Sequence, residues 1–128
     1  MFSPVYSPNG AEIAAWWNRQ PSRGVYVIPL EGSVPYEQRS RQLSVGRASP
    51  ISWSSDGKEI YAAEVEKGTI IAIPSEKGNP RTIVTLPLPA ERTIDYAAIT
   101  SDGGRVAYVV LESQSDVWII ENFDPETK

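Results

Sequence analysis

One short phrase occurs three times along the chain at nearly equal intervals. The copies are residues 6–10, 53–57 and 99–103, and each ends in Asn-Gly or Asp-Gly. Their glycines, Gly10, Gly57 and Gly103, are separated by 47 and then 46 positions. Self-similarity at a period of this size indicates repeated supersecondary units that stack on one another.

Each unit has the residue pattern of four short strands. An apolar run precedes the Asn-Gly or Asp-Gly turn, a second run follows it, and a third comes after another polar turn. The second runs are nearly continuous in apolar residues, which is typical of strands covered on both faces. The pattern predicts an all-β fold, a partial β-propeller of three four-stranded antiparallel blades. The expected blades are residues 1–48, 49–93 and 94–128.

The fourth strands are weaker, as edge strands usually are. Residues 41–45 and 82–86 are the candidates in the first two units. The third unit offers none before the sequence ends at Lys128. We therefore expect the last blade to lack its outer strand and the ring to be incomplete.

The repeated turn residues are predicted to be structural. Asparagine and aspartate bond to nearby backbone N–H groups, and glycine accepts a positive φ. Asp56 and Asp102 are also conceivable metal ligands, but the alternating carboxylates of a calcium loop are missing. The predicted turn residues are Asn9, Gly10, Asp56, Gly57, Asp102 and Gly103.

Composition excludes several kinds of active site. The chain has no histidine and no cysteine, so it cannot build a Ser-His-Asp or Cys-His site from its own residues. A net charge of −4 argues against binding the phosphate backbone of nucleic acid. No apolar stretch approaches the ~20 residues of a membrane span. We expect a soluble, non-catalytic domain without a cofactor or metal, in a compartment that composition leaves open.

The phrases Ser7-Pro8-Asn9-Gly10 and Ser54-Ser55-Asp56-Gly57 resemble the WD-repeat-like blades of TolB-type bacterial β-propellers. The strand phrase 115–120 and the tail 121–124 are also similar to that family, and the resemblance covers essentially the whole chain. It implies a module for protein interaction or sensing, often the C-terminal part of a bacterial sensor or scaffold protein. Serine replaces the motif's proline twice, and the family offers no catalytic residue to transfer.

Several polar and aromatic residues are candidates for binding. Arg39, Arg41 and Arg47 form a basic group in the sequence that could dock an acidic partner or a phosphate group, or could simply offset Glu31 and Glu37. The four tryptophans could form a binding platform or pack between blades. A carboxylate pair for glycoside hydrolysis is a further, weaker reading of the acidic residues. The tryptophans are Trp16, Trp17, Trp53 and Trp118, and the acidic residues are Glu64, Glu66, Glu112 and Asp116.

Three kinds of assembly and function follow from these patterns. The first is a recognition module that binds another protein or a small ligand, with the remaining blades of a longer propeller beside it. The second is a fragment of the gating propeller of a prolyl oligopeptidase or dipeptidyl peptidase type serine peptidase. The third is a half-propeller that self-assembles, two copies forming a six-bladed homodimer with hidden end faces.

Overall fold

The strands of the protein form three antiparallel sheets, each a simple meander of strands consecutive in the chain. A computed structural model describes residues 2–89, 92–100, 102–111 and 117–123. The three sheets have four, four and three strands, so the predicted partial propeller with an incomplete last blade is confirmed. Blade one contains β1 (Phe2–Tyr6), β2 (Glu12–Trp17), β3 (Gly24–Pro29) and β4 (Arg41–Val45); blade two contains β5 (Ser49–Trp53), β6 (Glu59–Glu64), β7 (Thr69–Pro74) and β8 (Arg81–Thr85); blade three contains β9 (Thr93–Ile99), β10 (Arg105–Leu111) and β11 (Val117–Glu121).

The described residues contain one short helix, α1 (Tyr36–Arg39), which lies in the connection between β3 and β4. This nearly pure β structure agrees with the all-β fold that the sequence pattern predicts. No helix among the described residues has the length and apolarity needed to cross a bilayer.

Side chains between the sheets form the core of the molecule. Because side chains alternate along a strand, the sheet of blade two has one face toward blade one and the other toward blade three. Blades one and two meet through Ala14 and Val27 on one side and Trp53 and Ile60 on the other. A second cluster joins Val25 to Ala62, Ile71 and Ile73.

Blades two and three share the largest cluster of buried side chains. Blade two contributes alternate residues of β6 and β7, and blade three contributes residues of β9 and β10. Both faces of the blade-two sheet are therefore buried, which explains why β6 and β7 are apolar almost without interruption. The main members are Tyr61, Ala63, Ile70, Ala72, Ile94, Val106, Tyr108 and Val110.

The two ends of this stack are different. Part of the outer face of blade one lies under the segment 30–40, which includes α1 and which we call the cap, whereas Tyr6 on the same face is 70% exposed. Beneath the cap, Tyr26 and Ile28 are only 6% and 3% exposed. At the other end, Val117 and Ile119 of β11 are 69% and 65% exposed on the outer face of blade three. Among the described residues, the cap thus covers part of one end of the stack and nothing covers the other.

Candidate binding cleft at the inner strands

The inner strands of the three blades surround a cleft of about 310 Å³. They are β1, β5 and β9, the first strand of each sheet, and the cleft lies where their N-terminal halves come together. The inner edge of each of these strands has no partner strand among the described residues. In a propeller, that position corresponds to the mouth of the central channel.

The walls of the cleft are mainly apolar. Pro4, Val5, Pro50, Ile51 and Ala97 come from the three inner strands, and β6 and the residue after it add Ala63 and Val65. Asp95 is the one charged residue among the described residues that line the cleft. Apolar walls with a small number of polar groups are typical of binding clefts, in which the polar groups set orientation and specificity.

The predicted turn residues lie in three equivalent hairpins, at the opposite ends of the inner strands from the cleft. In each turn, the side-chain Oδ1 of Asn9, Asp56 or Asp102 accepts a hydrogen bond from the backbone N–H two residues later, at 2.8–3.0 Å. The following glycine has a positive φ of 70–73° in all three turns. These contacts give the residues a structural role in the hairpins.

A hydroxyl residue that the sequence analysis missed completes each turn. Ser7, Ser54 and Thr100 each donate from the hydroxyl to the Asn or Asp side chain two residues later, at 2.6–2.9 Å. The same hydroxyl accepts a hydrogen bond from the backbone N–H five residues later, at 3.0–3.1 Å. Its spacing, three residues before each turn glycine, was a visible signal in the sequence.

These hydrogen bonds shift the acidity of the two aspartates. The pKa of Asp56 lies below its ordinary value because its carboxylate accepts hydrogen bonds from the Lys58 N–H and the Ser54 hydroxyl. The pKa of Asp102 is lowered in the same way by the Thr100 hydroxyl and the Gly104 N–H. Both carboxylates therefore stay ionised to lower pH than a free aspartate.

Arg39, Arg41 and Arg47, which the sequence predicts as an interaction group, contact different residues of the chain. Arg39 donates from its guanidinium to the carbonyl oxygens of Pro29 (2.6 Å), Leu30 (3.1 Å) and Val34. It thereby fixes the cap to the end of β3. A guanidinium engaged with three backbone carbonyls has few donors left for a docking partner.

Arg41 joins blade one to blade two. Its Nη1 lies 2.7 Å from a carboxylate oxygen of Glu12, and its Nε and Nη2 donate to the carbonyl oxygen of Ser75. Arg81 and Glu59 form the equivalent ion pair in blade two, at 3.1 Å. The repetition of the pair indicates a role in the blades themselves, and Arg41 pairs with Glu12 rather than with Glu31 or Glu37.

Arg47 lies in the connection between blades one and two. Its guanidinium carbon is 5.8 Å from the centre of the Trp16 ring, and the indole N–H of Trp16 donates to the Gly46 carbonyl oxygen at 3.0 Å. Arg47 is the one of the three arginines for which no backbone carbonyl partner is described. Whether any of the three binds a partner stays a prediction.

The tryptophans occupy four separate environments. Trp53 packs between blades one and two and donates from its indole N–H to the Val5 carbonyl oxygen at 3.1 Å. Trp17 stacks on Tyr36 of the cap, and Trp118 stacks on Tyr108 within blade three. The four rings are thus spread over the molecule and do not form a single platform.

The proposed carboxylate pair is only partly described. Glu64 accepts hydrogen bonds from Lys67 and from the Thr69 hydroxyl at the β6–β7 turn. Glu112 and Asp116 lie outside the described residues. Glu64 is thus engaged at a surface turn, and a catalytic pair remains a hypothesis without structural support.

Comparison with known proteins supports the fold. No family model matches the chain, and no curated protein matches it. Among solved structures, it is similar to the putative TolB from Agrobacterium tumefaciens, with a TM-score of 0.66 and 16% sequence identity. The match covers 91% of this chain and 44% of that one, so this chain spans less than half of the TolB structure. At this identity the likeness shows a propeller fold and no more.

Proposed function

We propose that this chain is a non-catalytic recognition module of the β-propeller type, which binds a segment of another protein or a small ligand at the cleft between β1, β5 and β9. The observation that carries the proposal is the position of the cleft. Three rigid, stacked sheets contribute its walls, and their strands are held in place by the inter-blade contacts described above. A rigid scaffold with an open site is the arrangement that recognition modules usually have.

The chemistry of the walls suggests the class of ligand. The apolar residues favour a ligand that buries aliphatic or aromatic groups. Asp95 is exposed at the cleft, and its carboxylate favours a cationic group on the ligand. An extended peptide segment with apolar side chains and one lysine or arginine combines both features. The free inner edges of the strands also offer backbone groups for hydrogen bonding.

A peptide library tests this proposal. Random seven-residue peptides would be selected against the 128-residue chain, and the best binders would be mapped by amide chemical-shift changes. We expect shifts at 3–5, 49–51 and 94–97, and at least a fivefold loss of affinity for cationic peptides in Asp95→Asn. Glu31→Gln, at an exposed carboxylate in the cap, is the matched control and should bind normally. Selected peptides whose shifts map elsewhere would contradict the proposal.

The kind of protein that contains this module is a separate question, which the coding sequence on either side of it decides. A signalling domain encoded before Met1 would support a bacterial sensor or scaffold protein. An α/β-hydrolase domain with a nucleophile elbow, encoded after Lys128, would instead favour the gating propeller of a serine peptidase.

A further inference from the structure

Another cavity, of about 300 Å³, lies at the same end of blades one and two as the cleft, and we call it the rim cavity. The cleft residue Ser49 follows Arg47 of the rim cavity after one intervening residue, which places the two sites next to each other. Its walls come from β2, from the turns that follow β2 and β6, and from the connection between β4 and β5. The lining residues are Trp16, Arg23, Gly46, Arg47 and Glu66.

Gly46 holds the backbones of the two arginines close together. Its N–H donates to the Arg23 carbonyl oxygen at 3.2 Å, and its own carbonyl oxygen accepts a hydrogen bond from the indole N–H of Trp16 at 3.0 Å. Arg47 is the next residue, and its guanidinium carbon lies 5.8 Å from the centre of the Trp16 ring. At this distance the ring face attracts a cation. Contacts within the protein therefore position both arginines at the cavity.

The guanidinium groups of Arg23 and Arg47 are not used by other groups of the described chain. Among the described residues, neither forms an ion pair or donates a hydrogen bond from its guanidinium, and both side chains are exposed. A guanidinium carries five N–H donors, so the rim cavity presents two sets of donors to a ligand. Arginines elsewhere in the molecule are engaged with a carboxylate or carbonyl oxygen, namely Arg19, Arg39, Arg41, Arg81 and Arg105.

A buried hydroxyl next to the rim cavity also lacks a partner. Ser44 of β4 lines an adjoining cavity of about 240 Å³, which shares Arg47 with the rim cavity. The Ser44 Oγ is buried and makes no hydrogen bond within the part of the chain that the structure describes. Buried polar atoms without a protein partner usually bond to water or to a ligand. This hydroxyl is an independent sign that a polar group enters the region around Arg47.

The charges around the rim cavity determine the kind of ligand that it favours. Arg23 and Arg47 contribute two positive charges and Glu66 contributes one negative charge, which leaves a local charge of +1. Lys67 and Glu64 beside the cavity form an ion pair at 3.2 Å and cancel each other. A single carboxylate neutralises this charge, whereas a doubly charged phosphate exceeds it. Guanidinium groups also match the planar geometry of a carboxylate through parallel hydrogen bonds.

We propose that the rim cavity binds a carboxylate of a partner polypeptide, which Arg23 and Arg47 hold through charge-assisted hydrogen bonds. Two groups of a polypeptide supply such a carboxylate, an acidic side chain and the C-terminus. Because the cavity is open to water, each ion pair is weak, and we expect a dissociation constant in the millimolar range for the isolated group. The inference goes beyond the proposed function, and none of the residues that it uses lines the cleft.

The arginine Nε–H signals in nuclear magnetic resonance spectra of the isotope-labelled full chain test the inference. Acetyl-Gly-Asp-Gly-amide presents a side-chain carboxylate, acetyl-glycine presents a terminal carboxylate, and acetyl-Gly-Asn-Gly-amide presents neither. We expect the signals of Arg23 and Arg47 to move with at least one carboxylate probe and not with the asparagine peptide. The signals of Arg41 and Arg81, which are already paired, should stay in place. The carboxylate probe that binds more tightly identifies the source of the group.

Single substitutions at exposed residues connect binding to the rim cavity. Arg23→Gln and Arg47→Gln should each raise the dissociation constant of the probe at least about fivefold, because each removes a charged donor. Glu66→Gln should lower it at least about twofold, because it removes a like charge from the cavity. Lys58→Gln is the matched control, since it removes one exposed positive charge at the opposite end of blade two, and it should bind normally. Thermal unfolding should change little in all four variants and show that they fold.

Several results would overturn the inference. If the signals of Arg23 and Arg47 move in Glu66→Gln but with neither carboxylate probe, Glu66 is the partner of the two arginines. If inorganic phosphate binds more tightly than both carboxylate probes, the cavity is a phosphate site. Equal affinity in the wild type and in Arg47→Gln would place the carboxylate elsewhere. Shifts confined to 3–5, 49–51 and 94–97 would overturn the inference and leave the proposed function of the cleft intact.

Discussion

The two ends of the blade stack differ in how the apolar side chains on their outer faces are shielded from water. Each end is the outer face of an antiparallel sheet with apolar side chains. At blade one, the cap lies over the face, and Arg39 and Arg19 hold it there through backbone carbonyl oxygens. At blade three, the described residues place nothing over Val117 and Ile119.

In a repeat protein, the outer faces of the first and last units are not covered by another unit, so a different segment or a partner has to cover them. Interior faces are covered by the next unit, whereas an end needs a cap or a partner. The connection 30–40 that forms the cap is longer than its counterpart 75–80 in blade two. That extra length is used where no preceding blade is present among the described residues.

Alanine substitutions at equivalent positions of blades two and three should differ most in the free energy of unfolding that they remove. Ile70→Ala removes a fully buried side chain between blades, so we expect a loss of roughly 2–5 kcal/mol in the free energy of unfolding. Val117→Ala, at the equivalent position of blade three, should cost less than about 0.5 kcal/mol in dilute protein. Chemical denaturation monitored by tryptophan fluorescence measures both. Equal losses at the two positions would show that the outer face of blade three is covered.

The stability lost by substituting a turn glycine should not depend on how far that turn lies from either end of the stack. Gly57 has a φ of 72° with no heavy atom closer than 3.9 Å to an added Cβ, so the cost of Gly57→Val comes from the backbone. We expect a loss of roughly 1–3 kcal/mol. Gly10→Val, in blade one, should cost about the same, since Gly10 has a φ of 73° and no heavy atom within 4 Å of an added Cβ. The neighbouring substitution Ser55→Val is the control and should have little effect on unfolding by denaturant.

Loosening the cap should expose the sheet face of blade one to solvent, as the outer face of blade three already is. Arg39→Ala removes three hydrogen bonds to backbone carbonyl oxygens at a half-buried site, so we expect the cap to open at a cost of about 1–2 kcal/mol. Hydrogen exchange should accelerate in 30–40 and in the underlying β3. Arg47→Ala, at a residue outside the cap, should leave these rates unchanged. If β3 stays as protected as in the wild type, Arg39 does not hold the cap.

The smallest expected effect concerns acid stability. The pKa values of Asp56 and Asp102 are lowered in the folded state, so their contribution is fully present above the unfolded pKa of about 3.9. It is lost as the pH falls through the lower folded values. Asn9 shows that the turn also forms with an uncharged side chain. The double variant Asp56→Asn and Asp102→Asn should therefore lose less stability between pH 5 and pH 2 than the wild type. Identical acid unfolding curves would contradict this assignment.

Much of the fold follows from local rules that the sequence displays directly. Asp56-Gly57 and Asp102-Gly103 encode turns through their own conformational preferences, and the apolar runs beside them encode strands covered on two faces. The spacing between the turns then implies stacking, since units with the same shape pack in the same way. For this reason the three sheets could be predicted, and so could the presence of only three strands in the last one among the described residues.

The cap and the cleft could not be predicted, because both depend on contacts between distant parts of the chain. The cap contains proline, glycine and serine and shows no periodicity, so its sequence is that of an ordinary loop. Its function depends on Tyr36 reaching Trp17 and on Arg39 reaching Pro29. Likewise, Asp95 lines the cleft because β1 and β5 lie beside β9, and the sequence near Asp95 carries no sign of that contact.

Thiol labelling of single-cysteine variants tests the unequal ends most directly. The chain has no cysteine, so Ile28→Cys and Ile119→Cys each introduce a unique thiol without further changes. In dilute protein, Cys replacing Ile119 should react at least about a hundredfold faster than Cys replacing Ile28. The reason is that these positions are 65% and 3% exposed. Similar labelling rates at the two positions, in variants that remain folded, would contradict a stack with one covered end and one bare end.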